Sequence, residues 1–74
     1  MDSPALDFLS HVELGTRVVV RSRIEGGFTD ALGVLRSRTS SDCVIDTKRG
    51  LTTVALSDVI LAKEVPPPPE RTRH

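Results

Sequence analysis

Hydrophobic and polar positions alternate most regularly between Ala31 and Leu56. Three short runs of mainly β-branched and aliphatic residues, 31–38, 43–47 and 51–56, are separated there by turn-forming residues. In the third run Thr52, Val54 and Leu56 fall on one face of an extended chain. Alternation with period two, bounded by turn formers, is typical of half-buried strands. The pattern therefore predicts a three-stranded antiparallel meander.

Two glycines mark structural turns within this meander. Gly33 interrupts an apolar run, which indicates a bulge, a bend or a close approach of another backbone. Gly50 ends the segment Lys48-Arg49-Gly50, which fits a short hairpin loop with its glycine at positive φ.

Two further strands are predicted at 16–23 and 59–63, with a single turn at Ser57-Asp58 before the last one. In the first strand the arginines share an outer face with Val19, whereas Val18, Val20, Ser22 and Ile24 face inward. Residues 25–30 are expected to form a mobile connection, longer than a tight hairpin, with Phe28 folded back onto the core. Five strands that close into a barrel leave no unpaired edges, and so small a barrel is filled by its own side chains.

Ser3 and Pro4 predict the start of a helix, with serine as N-cap and proline at the first helical position. Leu6, Leu9 and either Phe8 or Val12 form a short apolar stripe. A helix of two to three turns is marginal alone, so it must dock on the sheet. A lid on an open end of the barrel is one interpretation, and a partner-binding helix is the other.

The expected fold class is mainly β: a small five-stranded SH3-like barrel with a short amino-terminal helix and a proline-rich carboxy-terminal tail. Residues 1–13 form the helix or lid, 14–65 the barrel, and 66–74 the linker and charged tail. The run 66–69 consists of four prolines, which favour a stiff polyproline II spacer.

The chain has 74 residues and a formal net charge of zero, which argues against a dedicated nucleic-acid binder. The charge is unevenly distributed: residues 16–39 have five arginines and two acids, whereas residues 1–15 have three acids and no Lys or Arg. This asymmetry favours internal charge matching between the two segments; a weak basic face is the alternative. The candidate binding residues on such a face are Arg17, Arg21, Arg23, Arg36, Arg38, Lys48 and Arg49.

No catalytic or metal-binding set is apparent in the sequence. Cys43 lies mid-strand and is interpreted as a small buried hydrophobe, and His11 has no second ligand at metal spacing. The absence of Trp and Tyr excludes the aromatic grooves and cages that bind proline-rich or methylated peptides. With one cysteine, no signal peptide and no long apolar run, a cytoplasmic protein without membrane contact is expected.

The order of these motifs resembles the amino-terminal SH3-like domain of actinobacterial GNAT-family N-acetyltransferases. The resemblance covers about residues 14–69 and rests on five segments, which are 14–21, 29–33, 47–50, 54–63 and the proline run. In that family the barrel precedes a catalytic domain, and some members acetylate histone-like proteins.

The resemblance implies a non-catalytic accessory domain that packs against a downstream acetyltransferase domain of the same chain or binds a protein substrate. It implies no cofactor for this segment, and acetyl-CoA for the domain that would follow. A small nucleic-acid-binding barrel that uses the arginine-rich face is the alternative, and a plain folding or solubility appendage is a third hypothesis.

Overall fold

The computed structural model describes residues 3–66 as one five-stranded antiparallel sheet with a short helix packed on it. The elements are α1 (Pro4–His11), β1 (Arg17–Ile24), β2 (Gly27–Arg38), β3 (Asp42–Thr47), β4 (Gly50–Ala55), a 3₁₀ turn (Leu56–Asp58) and β5 (Val59–Glu64). The strand order is β4-β3-β2-β1-β5, so β1 lies between the second and the last strand. The prediction of a mainly β chain with an amino-terminal helix is confirmed. The tail after Pro66 lies outside the described residues.

The sheet does not close into a barrel, which corrects the sequence expectation. Within residues 3–66, β4 pairs only with β3, and β5 pairs only with β1. The sheet nevertheless curves, because Val54 of β4 and Val59 of β5 belong to one core cluster. Two irregularities in pairing interrupt the ladder, at Arg21/Ser22 and at Leu35/Ser37, and bulges of this kind bend a strand.

The core lies on the inner face of the curved sheet, where the alternation predicted it. Val18 and Val20 of β1, Leu35 of β2, and Cys43 and Ile45 of β3 have no exposed area. Helix α1 adds Ala5 and Leu9 to this cluster and packs against β5. Ser3 is its N-cap and Pro4 follows at the first turn, as the sequence predicts.

The connection between β1 and β2 is tight, contrary to the expected long mobile segment. Ile24 pairs with Gly27, so only Glu25 and Gly26 form the turn, and Gly26 has a φ of 85°. Phe28 begins the pairing of β2 and is 60% exposed, so it does not fold back onto the core. A glycine at positive φ allows the two-residue turn.

Both predicted structural glycines have the expected roles. Gly50 follows the two-residue turn Lys48-Arg49 and has a φ of 117°. Gly33 lies where β2 crosses β3 at close range: a Cβ atom there would lie 2.0 Å from the carbonyl oxygen of Asp46. The glycine is therefore required by a neighbouring backbone.

Candidate functional site

Two of the seven predicted basic residues are held in ion pairs on the outer face of the sheet. The Arg21 guanidinium donates from Nε to Asp30 Oδ1 at 2.8 Å and from Nη2 to Asp30 Oδ2 at 3.2 Å. Arg36 donates from Nε and Nη2 to Asp46 Oδ2 at 3.2 and 3.1 Å. The hydrogen bond from Arg21 holds the pKa of the Asp30 carboxyl below its usual range. These two arginines are therefore already partnered.

Arg38 is occupied in a different way, by the end of helix α1. Its Nη1 donates to the carbonyl oxygen of Leu9 at 3.0 Å and also to that of Val12. The last carbonyls of a helix lack intrahelical partners, and a cation there also suits the helix dipole. Arg38 pairs with Cys43 and not with an outward residue because Arg36 is an extra residue in the ladder. The bulge thus turns Arg38 toward the helix.

The other four basic residues, Arg17, Arg23, Lys48 and Arg49, form no ion pair within residues 3–66. Arg17 is half-buried, and its covered Nε has no hydrogen-bond partner among the described residues. The remaining three are exposed, at the end of β1 and in the turn between β3 and β4. The seven residues therefore do not form one free basic face.

The expected charge matching between the amino-terminal segment and the first strands is not found for Asp7 and Glu13, and Asp2 lies outside the described residues. Asp7 lies 3.5 Å from His11 of its own helix, while Asp30 and Asp46 pair with arginines of neighbouring strands. The helix contacts Arg38 through backbone carbonyls only. The charges cancel across the sheet, where antiparallel pairing places opposite charges side by side.

The ion pair between Arg21 and Asp30 could have been found from the sequence. Pairing about a two-residue turn at Glu25-Gly26 places residue 21 opposite residue 30. A loop spanning 25–30, as expected from the sequence, is incompatible with the pairing of residue 21 with residue 30.

The outer face of the sheet has an exposed apolar surface, the outer apolar band, which crosses three strands. Leu61 of β5, Val19 of β1, and Leu32 and Val34 of β2 form it. Leu61 and Leu32 are 43% and 44% exposed, although they are bulky aliphatic side chains. Val19 lies opposite Leu32 in the ladder, so the band is continuous between β1 and β2. Between β1 and β5 the ladder places Leu61 opposite Arg21 and Val19 opposite Lys63.

A groove of about 910 Å³ lies between β4 and the first half of β2. The first half of β2 extends beyond the end of β3, whose last residue Thr47 pairs with Gly33. The groove runs beside that half of β2, the turn at Lys48-Arg49, and four consecutive residues of β4, 52–55. The groove is open to solvent and lies outside the core cluster of Val18, Val20, Leu35, Cys43 and Ile45, which has no exposed area. Arg17, Arg23, Lys48 and Arg49 all line it.

Cys43 is a buried hydrophobic residue, as the sequence predicts. Cys43 is fully buried, and burial, with Asp42 nearby, raises the pKa of its thiol. His11 is exposed, and its Nδ1 lies 2.8 Å from the carbonyl oxygen of Asp7. Among the described residues, no three His, Cys, Asp or Glu side chains are close enough to hold a metal ion. No helix in residues 3–66 is long and apolar enough to span a bilayer.

Comparisons of the chain with protein-family models, curated proteins and solved structures found no match.

Proposed function

We propose that this chain is a non-catalytic accessory domain that precedes the catalytic domain of a GNAT-type N-acetyltransferase. It acts by protein contact, either packing against the catalytic domain or binding a protein substrate. Its fold would be SH3-like, an assignment supported by the meander β1–β4, the 3₁₀ turn after β4, and the return of β5 to the side of β1. Acetyl-CoA would bind to the catalytic domain.

The outer apolar band is the observation on which the protein-contact proposal rests. Continuous exposed aliphatic surface is unfavourable in water and marks contact sites when its polar border is already neutralised. Val19 and Leu32 lie directly opposite each other in the ladder, and Leu32 is 44% exposed. Leu61 lies on the same face opposite Arg21, which is paired with Asp30. Burial of exposed aliphatic area contributes about 25 cal/mol per Å², so each leucine can anchor a partner.

The test uses the full reading frame that contains this segment, with Leu32→Lys in the band. The matched control is Leu14→Lys, because Leu14 is also exposed, at 53%, and lies in the connection before β1. If the band packs against the catalytic domain, Leu32→Lys lowers the melting temperature of that domain. If it holds a protein substrate, Leu32→Lys raises KM for that substrate and leaves the melting temperature unchanged.

Two results would reject the proposal. One is a reading frame that encodes no acetyltransferase domain. The other is a Leu32→Lys enzyme that matches Leu14→Lys in melting temperature, KM and kcat, which would favour a plain folding or solubility appendage.

The nucleic-acid alternative rests on fewer residues than the sequence suggested. Of the seven candidates, only Arg23, Lys48 and Arg49 are exposed and have neither an ion pair nor a carbonyl partner within residues 3–66. They border the groove and not the outer face as a whole. This alternative is tested by the salt dependence described in the Discussion.

A further inference from the structure

Within residues 3–66, strand β4 is an edge strand without the usual protection against pairing. Its sequence, Gly50–Ala55, has no charge and no proline. Natural edges are commonly blocked by charges, prolines, bulges or a covering element. The opposite edge, β5, has Lys63 and Glu64, an irregular pairing with β1, and helix α1 packed against it. The contrast singles out β4 as the edge left open.

The register shows which backbone groups of β4 are unpaired. A two-residue turn makes Thr47 and Gly50 a hydrogen-bonded pair, and the bond from Leu56 N to Ser41 O fits the same alternation. The intervening residues Leu51, Thr53 and Ala55 then direct their N–H and C=O groups away from β3. These groups form an unfilled strand position along β4.

The groove lies directly beside this edge. Four consecutive residues of β4, 52–55, line it, so side chains of both faces and the edge between them border the same space. Ala31, Val54 and the half-exposed Ile24 provide an apolar part of the lining. A segment added to β4 would place alternate side chains on this apolar surface.

The charges around the groove are unbalanced among the described residues. Asp30 and Asp46 line it but are paired with Arg21 and Arg36. Of the unpaired groups that are exposed, Arg23, Lys48 and Arg49 are cationic, and Asp58 is the one carboxylate. The groove therefore favours an anionic occupant.

We propose that the groove binds an extended acidic segment of a partner protein, which adds as a strand to the free edge of β4. Main-chain hydrogen bonds to Leu51, Thr53 and Ala55 supply the binding, and the cations select acidic side chains. A polypeptide strand matches the alternating donors and acceptors of β4, which a nucleic-acid backbone does not. The groove shares Leu32 and Val34 with the outer apolar band, but β4 contributes no residue to that band, so the response of the β4 amides tests this proposal alone.

The experiment titrates the full 74-residue chain with a blocked octapeptide that alternates glutamate with valine. Amide exchange and amide chemical shifts are followed by NMR. The expected result is slowed exchange at Leu51, Thr53 and Ala55, and affinity at least tenfold greater than that of the same peptide with lysine in place of glutamate. Thr53→Pro removes a free edge N–H and is expected to weaken binding at least tenfold, whereas Thr53→Val keeps the N–H and binds as the unaltered chain does.

A second measurement does not depend on the folding of a variant. Peptides N-methylated at alternate positions should separate into one set that binds the unaltered chain and one that does not, because only alternate N–H groups face β4. The proposal is overturned if the two sets of N-methylated peptides bind with the same affinity. It is also overturned if the glutamate and lysine peptides bind with the same affinity. It is also overturned if single-stranded RNA protects these amides more strongly, or if light scattering shows a dimer that Thr53→Pro dissociates, since a second copy would then occupy the edge.

Discussion

Among the glycines, Gly33 is the position where substitution by alanine should lower the free energy of unfolding most. In a Gly33→Ala variant the added Cβ would lie 2.0 Å from the carbonyl oxygen of Asp46, 2.7 Å from its carbonyl carbon and 3.0 Å from Thr47 Cα. All three atoms are backbone, so no side chain can rotate away. Since Cβ contacts under 3.0 Å are essentially not observed, β2 and β3 must separate by about 1 Å, the difference between 2.0 and 3.0 Å.

The cost of that separation can be approximated. A shift of about 1 Å stretches the adjacent ladder bonds beyond the usual range of about 2.7–3.2 Å, and each bond contributes about 0.5–1.5 kcal/mol. Overpacking strain adds about 1–3 kcal/mol, so a loss of about 3 kcal/mol in the free energy of unfolding is expected. A domain this small has roughly 3–5 kcal/mol in total. The variant should therefore keep only about 0–2 kcal/mol of stability, so that between almost none and about half of it is unfolded without denaturant.

The assay is urea unfolding followed by far-UV circular dichroism, because the chain has no Trp or Tyr to report fluorescence. With a slope near 1 kcal/mol per M for a small domain, the midpoint should fall by about 3 M. Gly27→Ala is the matched control in the same strand, because a Cβ there has no atom within 4 Å. It should be neutral or stabilising by up to about 1 kcal/mol. A Gly33→Ala midpoint within about 1 M of the unaltered chain would refute the reasoning.

Four further predictions follow from contacts described above. Arg38→Met should lower the free energy of unfolding by about 1.5–3 kcal/mol, because the last carbonyls of α1 lose a charged donor; urea unfolding measures this, and an unchanged midpoint would contradict the capping role. Arg21→Gln should raise the pKa of Asp30, as measured by carboxyl NMR, because the variant loses the hydrogen bond that lowers it. The pKa of Asp30 is lower in the folded chain than in the unfolded chain, so the unaltered chain should have a larger free energy of unfolding than Asp30→Asn. This difference should be complete at pH values above the unfolded pKa of about 3.9 and should disappear as the pH falls through the folded pKa. A difference that grows on acidification would contradict the ion pair. The Cys43 thiol should react with a disulfide reagent only on unfolding, because burial raises its pKa and blocks access, and rapid labelling of the folded chain would contradict this. Binding of single-stranded RNA should be weak, with a slope of log K against log salt no steeper than about −2 for three free cations; a much steeper slope would favour the nucleic-acid alternative.

Local pattern was sufficient for most of the elements. Ser3 and Pro4 place the start of α1, and Val18 and Val20 identify the buried face of β1. These features depend on residues near one another in sequence, where spacing determines which side chains share a face.

The features that could not be predicted depend on register or on distant strands. Whether β4 meets β5 is set by the curvature of the whole sheet, which no local pattern encodes, so closure was predicted wrongly. The role of Arg38 depends on the extra residue Arg36, which shifts the face that the following side chains occupy. The groove likewise follows from the overhang of β2 beyond β3. For the candidate site, the sequence identified the cations, but only the register shows which of them are free.

The position of β1 in the sheet also constrains how the chain can be made. β1 is the first strand to be synthesised, yet one of its two neighbours is the last strand, and Val65 N donates to Arg17 O at 2.9 Å. A ribosome-bound chain that has emerged only as far as Asp58 therefore leaves the edge of β1 unpaired in addition to that of β4, and its helix lacks β5, the strand against which it packs. Such an intermediate is prone to association with other nascent chains. The sheet therefore cannot be completed until β5 has been synthesised.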